Sequence, residues 1–373
     1  MREINVSTNE AGQRLDKLLR KYLKNANTSF IYKMLRKKNI VLNDKKAEGK
    51  EILNLGDSVK MYFSEETFAT MTGRMGQYAG SAEKNRETSA NATAQRTSTT
   101  SDQAASAGKI SAQIRRGASS GNASERGDQR AFDINEFRKH IVYEDENLLV
   151  LNKPSGWLSQ SDGSGLPSVN ELCLRYLMAT GTLTEAQLQT FKPGIANRLD
   201  RNTYGLILFG KTLPALQALA GLLRDRTMEK YYLAIVCGDI DHAQRIDGYL
   251  AKDERTNRVE IRPQPFPDAV EIHTAYEPLK RSADYTVLKV HLITGKTHQI
   301  RAHLRAIGHP IIGDPKYGRK DANAYYRTHG GVKSQLLHAW ELHFPETLDG
   351  PLRNLAGRTL TAEPPKEFHP FLK

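Results

Sequence analysis

An acidic residue flanked by guanidinium groups is the strongest chemical feature of this sequence. In Pro193-Gly194-Ile195-Ala196-Asn197-Arg198-Leu199-Asp200-Arg201-Asn202-Thr203-Tyr204-Gly205, Asp200 lies between Arg198 and Arg201 in a turn-prone loop, just before a strongly apolar strand. Nearby positive charge favours the ionised carboxylate, and an ionised carboxylate can act as a nucleophile at neutral pH. The same residue types also describe an ordinary surface ion pair, and alone they do not decide for chemistry.

Two further stretches carry functional groups. Leu292 to Leu304 starts as a strand, turns at Gly295 and enters a helix capped by Thr297. Ile300, Leu304 and Ile307 make its apolar face, while Arg301 and Arg305, four apart, share another. His298, His303 and His309 lack metal-ligand spacing, and they read as hydrogen-bonding or packing residues. Glu229 to Gly238 reads as a strand with Tyr232, Ala234 and Val236 on one face. A tyrosine so placed can stack on a nucleobase or belong to the core.

The elements that must position these groups fall into three segments. Residues 1–65 read as a small module. Leu15, Leu18, Leu19 and Tyr22 mark one helix, and Phe30, Ile31, Met34 and Leu35, behind an N-cap at Ser29, mark a second. Strands at Ile40 to Leu42 and Val59 to Phe63 follow, and Lys33, Arg36 and Lys37 cluster on the second helix. Residues 66–132 turn abruptly to Ser, Ala, Thr, Gly, Asn, Gln and Arg, a composition that buries too little apolar surface to offset ordering, so a disordered linker is expected. Residues 133–373 form the large domain. Ile141 to Tyr143 and Leu148 to Leu151 read as a hairpin; Leu206 to Phe209, Tyr231 to Val236 and Tyr285 to Ile293 read as strands, and Leu213 to Leu223 and His298 to Ile307 as helices. Strands with a few interspersed helices favour an α+β fold over regular βαβ winding.

Composition narrows the partners. The 373 residues hold 54 Lys and Arg against 42 Asp and Glu, a net charge of +12 with pI near 9.5, which favours a polyanionic partner. Cys173 and Cys237 are isolated in apolar sequence and fit packing in a reducing compartment, not a disulfide framework or zinc site. No apolar run reaches membrane-spanning length and no signal-peptide core opens the chain, so a cytoplasmic protein without a membrane partner is expected.

In order and wording these stretches resemble the RluA family of RNA pseudouridine synthases across residues 136 to 365. The family's His-Arg-Leu-Asp and Thr-Ser-Gly signature falls on Asn197 to Asp200 and Thr203 to Gly205, and its Lys-x-Tyr-x-Ala segment on Lys230, Tyr232 and Ala234. Its Thr-Gly-Arg-Thr-His-Gln-Ile-Arg segment falls on Thr294 to Arg301, and its Gly-His-Pro-Ile-x-Gly-Asp turn on Gly308 to Asp314. Asn152 to Gly156 matches the family's opening of the catalytic domain, and Leu337 to Ala339 its closing strand. The N-terminal module, from Gln13 to Leu19, Ser29 to Lys37 and Val41 to Asn43, resembles an S4 RNA-binding domain.

The resemblance implies an α+β catalytic domain with a mixed, largely antiparallel sheet behind a small α+β S4 domain. It implies Asp200 as nucleophile on a flipped-out uridine, Tyr232 stacked on the target base and a candidate for proton removal from C5, and Arg301 paired with Asp200. Arg198, Arg201, Lys230, Lys296, His298 and Gln299 would contact substrate, with Lys33, Arg36 and Lys37 on RNA phosphate. Isomerisation conserves every atom, so no cofactor or metal is expected. Asn197, Tyr204 and Lys296 depart from the usual His, Ser and Arg; Lys296 keeps its charge but loses bidentate pairing. The expected partner is RNA, ribosomal first with transfer RNA open, and the protein is expected to act as a monomer. A non-catalytic RNA-binding or ribosome-assembly factor and an N-glycoside hydrolase using paired carboxylates are the rival readings.

Overall fold

Leu15, Leu18 and Leu19, at helical spacing, are fully buried on helix α1 (Leu15–Tyr22). The computed structural model describes residues 1–72 and 132–373, except Glu254 and Asn257. The chain divides into two units, one from the described residues of Met1–Asn5 and Gln13–Gln129, the other from those of Val6–Gly12 and Arg130–Lys373.

In the first unit α1 is followed by α2 (Thr28–Arg36), and both are bound by Asp16. This carboxylate, 2% exposed, accepts from Arg14 at 3.1 Å, Arg20 at 2.8 Å and the Tyr32 hydroxyl at 3.2 Å. The cap of α2 is Asn27, not Ser29: its side chain accepts from the Phe30 N–H, two residues earlier than the spacing of apolar residues suggests. Four strands, β1 (Arg2–Asn5), β2 (Ile40–Leu42), β3 (Lys45–Lys46) and β4 (Ser58–Met61), pair in the order β1-β4-β2-β3. Lys33, Arg36 and Lys37 stand exposed. One boundary needs correction. Residues 66–72, expected in the linker, belong to helix α3 (Glu65–Thr72), whose buried Phe68 packs on Tyr22 and Phe63. Residues 73–131 lie outside the described residues.

The second unit is built on one long sheet. Its strands are β5 (Ile141–Glu144), β6 (Leu148–Lys153), β7 (Gly194–Ile195), β8 (Tyr204–Gly210), β9 (Glu229–Cys237), β10 (Gln244–Asp253), β11 (Arg258–Arg262), β12 (Val270–Arg281), β13 (Tyr285–Leu292), β14 (Leu337–His343) and β15 (Thr359–Thr361). The path runs β11-β10-β12-β13-β9-β14-β8-β6-β5, with β7 on β8 and β15 on β14. The β8 and β14 pair is parallel, and the other pairs are antiparallel. All seven residues of β8 are buried, as expected of a continuous apolar run covered on both faces. The helices of eight or more residues are α4 (Val169–Ala179), α5 (Leu213–Asp225), α6 (Gln299–Ala306) and α7 (Lys320–Gly330). Ser168 and Glu171 form a capping box on α4, and Thr212 caps α5. The cap of α6 is His298 rather than Thr297, held at φ 55° with no side-chain cap bond.

The parallel crossing of β8 and β14 needs a glycine. Gly205 has φ 108°, and a Cβ there would collide with the backbone of Ala339, its partner on β14. This fixes where the apolar strand begins and the Asp200 loop ends. Cys173 and Cys237 are buried packing residues. Among the described residues no helix is long and apolar enough to cross a membrane.

Two core histidines make the fold acid-sensitive. His303, 1% exposed, contacts Thr274 Oγ1 at 2.9 Å, and His338, fully buried, contacts the Ala362 carbonyl at 2.9 Å. Burial pulls each pKa down to about 4. The folded value lies below the unfolded one, so as pH falls the unfolded chain binds protons first; this stability is complete above about pH 6.5 and lost towards pH 4. Denaturant unfolding from pH 7 to 4.5 should show a loss of about 2–3 kcal/mol per histidine. A midpoint constant over that window would refute the assignment.

Candidate active site

Asp200 sits in a loop whose backbone is held from several sides. Within the loop, the Thr203 N–H donates to the Asp200 carbonyl at 3.0 Å. Ser159 Oγ donates to the Leu199 carbonyl at 2.7 Å and accepts from the Leu199 N–H at 3.0 Å. Gln335 Nε2 donates to Thr203 Oγ1 at 2.7 Å. Asn197, which departs from the family's histidine, spans to β8: its amide donates to the Leu206 carbonyl at 3.1 Å and accepts from the Leu208 N–H at 2.8 Å.

The least visible support from sequence is Lys153, the last residue of β6, which is fully buried. Its ammonium donates to the carbonyls of Pro154 at 2.9 Å, Trp157 at 3.1 Å and Arg201 at 2.9 Å. Three acceptors match its three N–H groups and tie the residue after Asp200 to the end of β6. Burial pulls the Lys153 pKa down to about 7 against the opposing charge of Asp200.

Arg301 supplies the partner of the Asp200 side chain. On α6, and 5% exposed, it directs Nη1 to Asp200 Oδ2 at 2.7 Å. Its other edge forms a bidentate pair with Asp314, Nε to Oδ2 at 2.7 Å and Nη2 to Oδ1 at 2.9 Å. Burial opposes the charged form of Asp314, but the Arg301 guanidinium and the N–H groups of Tyr317 and Lys316 override it and hold the pKa below the ordinary value. One guanidinium thus bridges a buried acid and a partly exposed one, which fixes its plane. The Tyr317 ring lies against it, 5.1 Å from guanidinium carbon to ring centroid.

Tyr232 on β9 and His298 complete the surroundings of the carboxylate. Burial, then the charge of Asp200, pushes the Tyr232 phenol well above its ordinary range, so it meets a ligand as a neutral phenol. His298 places Nε2 3.8 Å from Asp200 Oδ2, and its Nδ1 lies 3.0 Å from the Tyr317 hydroxyl. Burial pulls His298 down to about 4, the cations of Arg301 and Lys316 reinforcing this and Asp200 opposing it, so it is neutral at pH 7.

These groups border a cleft of about 1020 Å³. Of the residues expected from sequence, Asp200, Tyr232, Arg301, Arg198, Arg201, Lys230, Lys296, His298 and Gln299 all lie at its wall. Gln299 needs correction as an RNA contact, because its amide is spent inside the protein. It is 2% exposed, accepts from Thr294 Oγ1 and the Lys296 N–H, and donates to the His273 carbonyl and Thr274 Oγ1. It shapes the turn that presents Lys296. Lys33, Arg36 and Lys37 belong to the other unit. Residue types and spacing do not reveal the parts of Lys153, Asp314 and Tyr317; the Asn-Lys-Pro and Gly-Asp motifs carry the first two without showing what they hold.

Tyr204, the other loop departure, packs inward. Its ring meets Phe368 edge-on at 5.9 Å and its hydroxyl lies 3.0 Å from Ser334 Oγ, which also pairs with Ser155 at 2.9 Å. Tyr204→Phe should lower stability by about 1 kcal/mol, whereas Tyr204→Ser, the family's usual residue, should cost about 3 kcal/mol through the cavity beside Phe368. Chemical denaturation of both variants checks the order; a serine variant as stable as wild type would contradict it.

Comparison with known proteins gives the family. A sequence model described as RNA pseudouridylate synthase matches residues 147–306. The chain belongs to the RluA family of RNA pseudouridine synthases, enzymes that isomerise uridine in RNA. Among its relatives is the ribosomal large subunit pseudouridine synthase D of Pasteurella multocida, 33% identical over 60% of this chain and 68% of that protein. Another is the ribosomal large subunit pseudouridine synthase C of Vibrio cholerae, 29% identical over 91% of this chain and 88% of that protein. Among solved structures, human RNA pseudouridylate synthase domain containing 4 is similar in fold, with TM-score 0.50 and 20% identity over 63% of this chain and 94% of that one.

Proposed function

We propose that this synthase modifies large-subunit ribosomal RNA, with Asp200 as the nucleophile, Tyr232 as the stacking platform and Arg301 as the positioning partner. The observation that carries the residue roles is the 2.7 Å pair between Arg301 and an Asp200 carboxylate that opens, 28% exposed, onto the cleft with Tyr232. The ribosomal target is supported by the large-subunit synthases among the chain's relatives and by its basic balance.

Chemically, the Asp200 carboxylate attacks the ribose or the base of an extruded uridine and the N1 glycosidic bond breaks. The freed uracil turns on the Tyr232 ring and rejoins the ribose through C5, and the bond formed to Asp200 breaks to return the free carboxylate. The C5 proton is lost to solvent, N1 gains a proton, and no atom is lost overall. Lys153 keeps the loop in place, and neutral His298 adds no charge to compete with Arg301 for Asp200. Lys33, Arg36 and Lys37 of the N-terminal unit supply phosphate contacts in the manner of an S4 domain.

Large-subunit ribosomal RNA and transfer RNA transcripts carrying tritium at C5 of uridine test this. Release of tritium to water from ribosomal RNA alone, without free uracil, is the expected result. Release only from transfer RNA would move the target, free uracil would indicate hydrolysis, and no release from either would sink the reading.

A further inference from the structure

A second cavity, of about 340 Å³, lies between β11 and α6. Ala302, Ala306 and Ile261 give it an apolar floor, and Arg258, Arg305 and Lys316 line it. Among its described lining residues there is no acid. Arg258 acts on both neighbours: after burial, the charges of Arg301 and Arg258 depress the Lys316 pKa against the opposing charges of Asp200 and Asp314, and the Arg258 charge also bears on the Tyr317 phenol. Three cations drawn from a strand, a helix and the loop after Asp314 thus border one cavity, and an anion among them would be attracted to all three.

Lys316 lines the large cleft as well, so the two cavities adjoin at this residue. Tyr317 forms the wall of the smaller one. Its hydroxyl accepts from the Val259 N–H of β11 at 3.0 Å and meets His298 at 3.0 Å, and its carbonyl accepts from Arg305 at 2.9 Å. The smaller cavity is therefore tied to the elements that carry Arg301 and His298.

We infer that this cavity is a phosphate subsite, in which Arg258, Arg305 and Lys316 grip an RNA backbone phosphate flanking the uridine held at Asp200. The inference rests on the reading of the large cleft as the active site. A phosphodiester fits the charge, since its two unesterified oxygens can accept from guanidinium and ammonium donors together. RNA is the substrate class of the family, and a strand leaving the cleft past Lys316 enters this cavity next. Such a contact sets the register of the strand and carries no base preference.

The test uses Arg258→Gln, Arg305→Gln and their combination in the full chain, with the ribosomal RNA transcript randomly ethylated at its phosphates as probe. In the double variant, KM should rise about tenfold or more with kcat at saturating RNA within about threefold. The slope of log Kd against log salt should become shallower by about 1, since one phosphate is no longer neutralised by the protein. Ethylation of one phosphate beside the modified uridine should block binding by the wild type and cease to matter in the double variant. Arg258→Gln alone, on the exposed strand, keeps the result readable should removal of the Arg305 to Tyr317 bond weaken α6. An unchanged salt slope with an unchanged interference pattern would overturn the subsite. A wild type that binds with the expected interference but releases no tritium would refute the active-site reading and leave the subsite standing.

Discussion

Asp200→Asn should retain the fold and RNA binding while tritium release falls by about 10⁴-fold or more. The fold should survive because the local charge is otherwise satisfied. Arg301 keeps its bidentate pair with buried Asp314, and the asparagine oxygen can still accept from Arg301 Nη1. The loop itself is held through its neighbours, by Lys153 on the Arg201 carbonyl and Ser159 on the Leu199 carbonyl, not through the Asp200 side chain. A stability change within about 1 kcal/mol is expected for so isosteric a replacement. The amide, however, has no ionised oxygen with which to attack the uridine. RNA affinity should be equal or slightly tighter, since a negative charge facing a polyanion is removed. Single-turnover tritium release, thermal melting and filter binding measure the three effects separately. Turnover within tenfold of wild type would remove Asp200 from the role of nucleophile.

A feature of this molecule is legible in the sequence when the residues that cause it are close together in the chain. The apolar strand after the Asp200 loop and the hairpin of β5 and β6 can be read because local periodicity sets burial there. Strands β10, β11 and β12 escape such reading: β11 alternates between partly buried and exposed, β10 and β12 bury only a few of their residues, and Arg, Asp, Glu and Lys interrupt any apolar pattern. Helix α3 escapes it too, because one buried Phe68 in a run of Thr, Ala and Glu is too little signal. Caps are displaced by one or two residues at α2 and α6, where backbone geometry rather than residue preference selects Asn27 and His298. In the site, the motifs give the wall residues but not their division of labour. Gln299 and His298 are adjacent in sequence, yet one amide is spent on a turn and the other side chain faces Asp200. Lys153 and Asp314 are distant from Asp200 in sequence, and only the fold brings them to its loop and to its arginine.

The second large effect concerns that arginine. Arg301→Met should abolish turnover and also destabilise the protein by about 3–5 kcal/mol, because it leaves Asp314 as an uncompensated buried charge. The Asp314 side chain is fully buried, and without the guanidinium the N–H groups of Lys316 and Tyr317 are the donors left to its Oδ1 among the described residues. Burial then dominates and raises the Asp314 pKa above its ordinary value, the reverse of the wild type. The sign of the pH dependence follows. In wild type the depressed Asp314 pKa gives stability that is present above about pH 4 and lost as pH falls through the folded value. In Arg301→Met the raised pKa makes the folded state take up a proton first, so the gap to wild type is widest near pH 7–8 and narrows as pH falls towards 4. Arg301→Lys should lie between, because one ammonium cannot reproduce a fork serving Asp314 and Asp200 at once. The double variant Arg301→Met/Asp314→Leu separates structure from chemistry. Removing both buried charges should recover most of the stability while turnover stays abolished, since Asp200 still lacks its 2.7 Å partner. Recovery of turnover together with stability would reduce Arg301 to a structural residue; failure to recover either would place the defect outside the Arg301 and Asp314 pair.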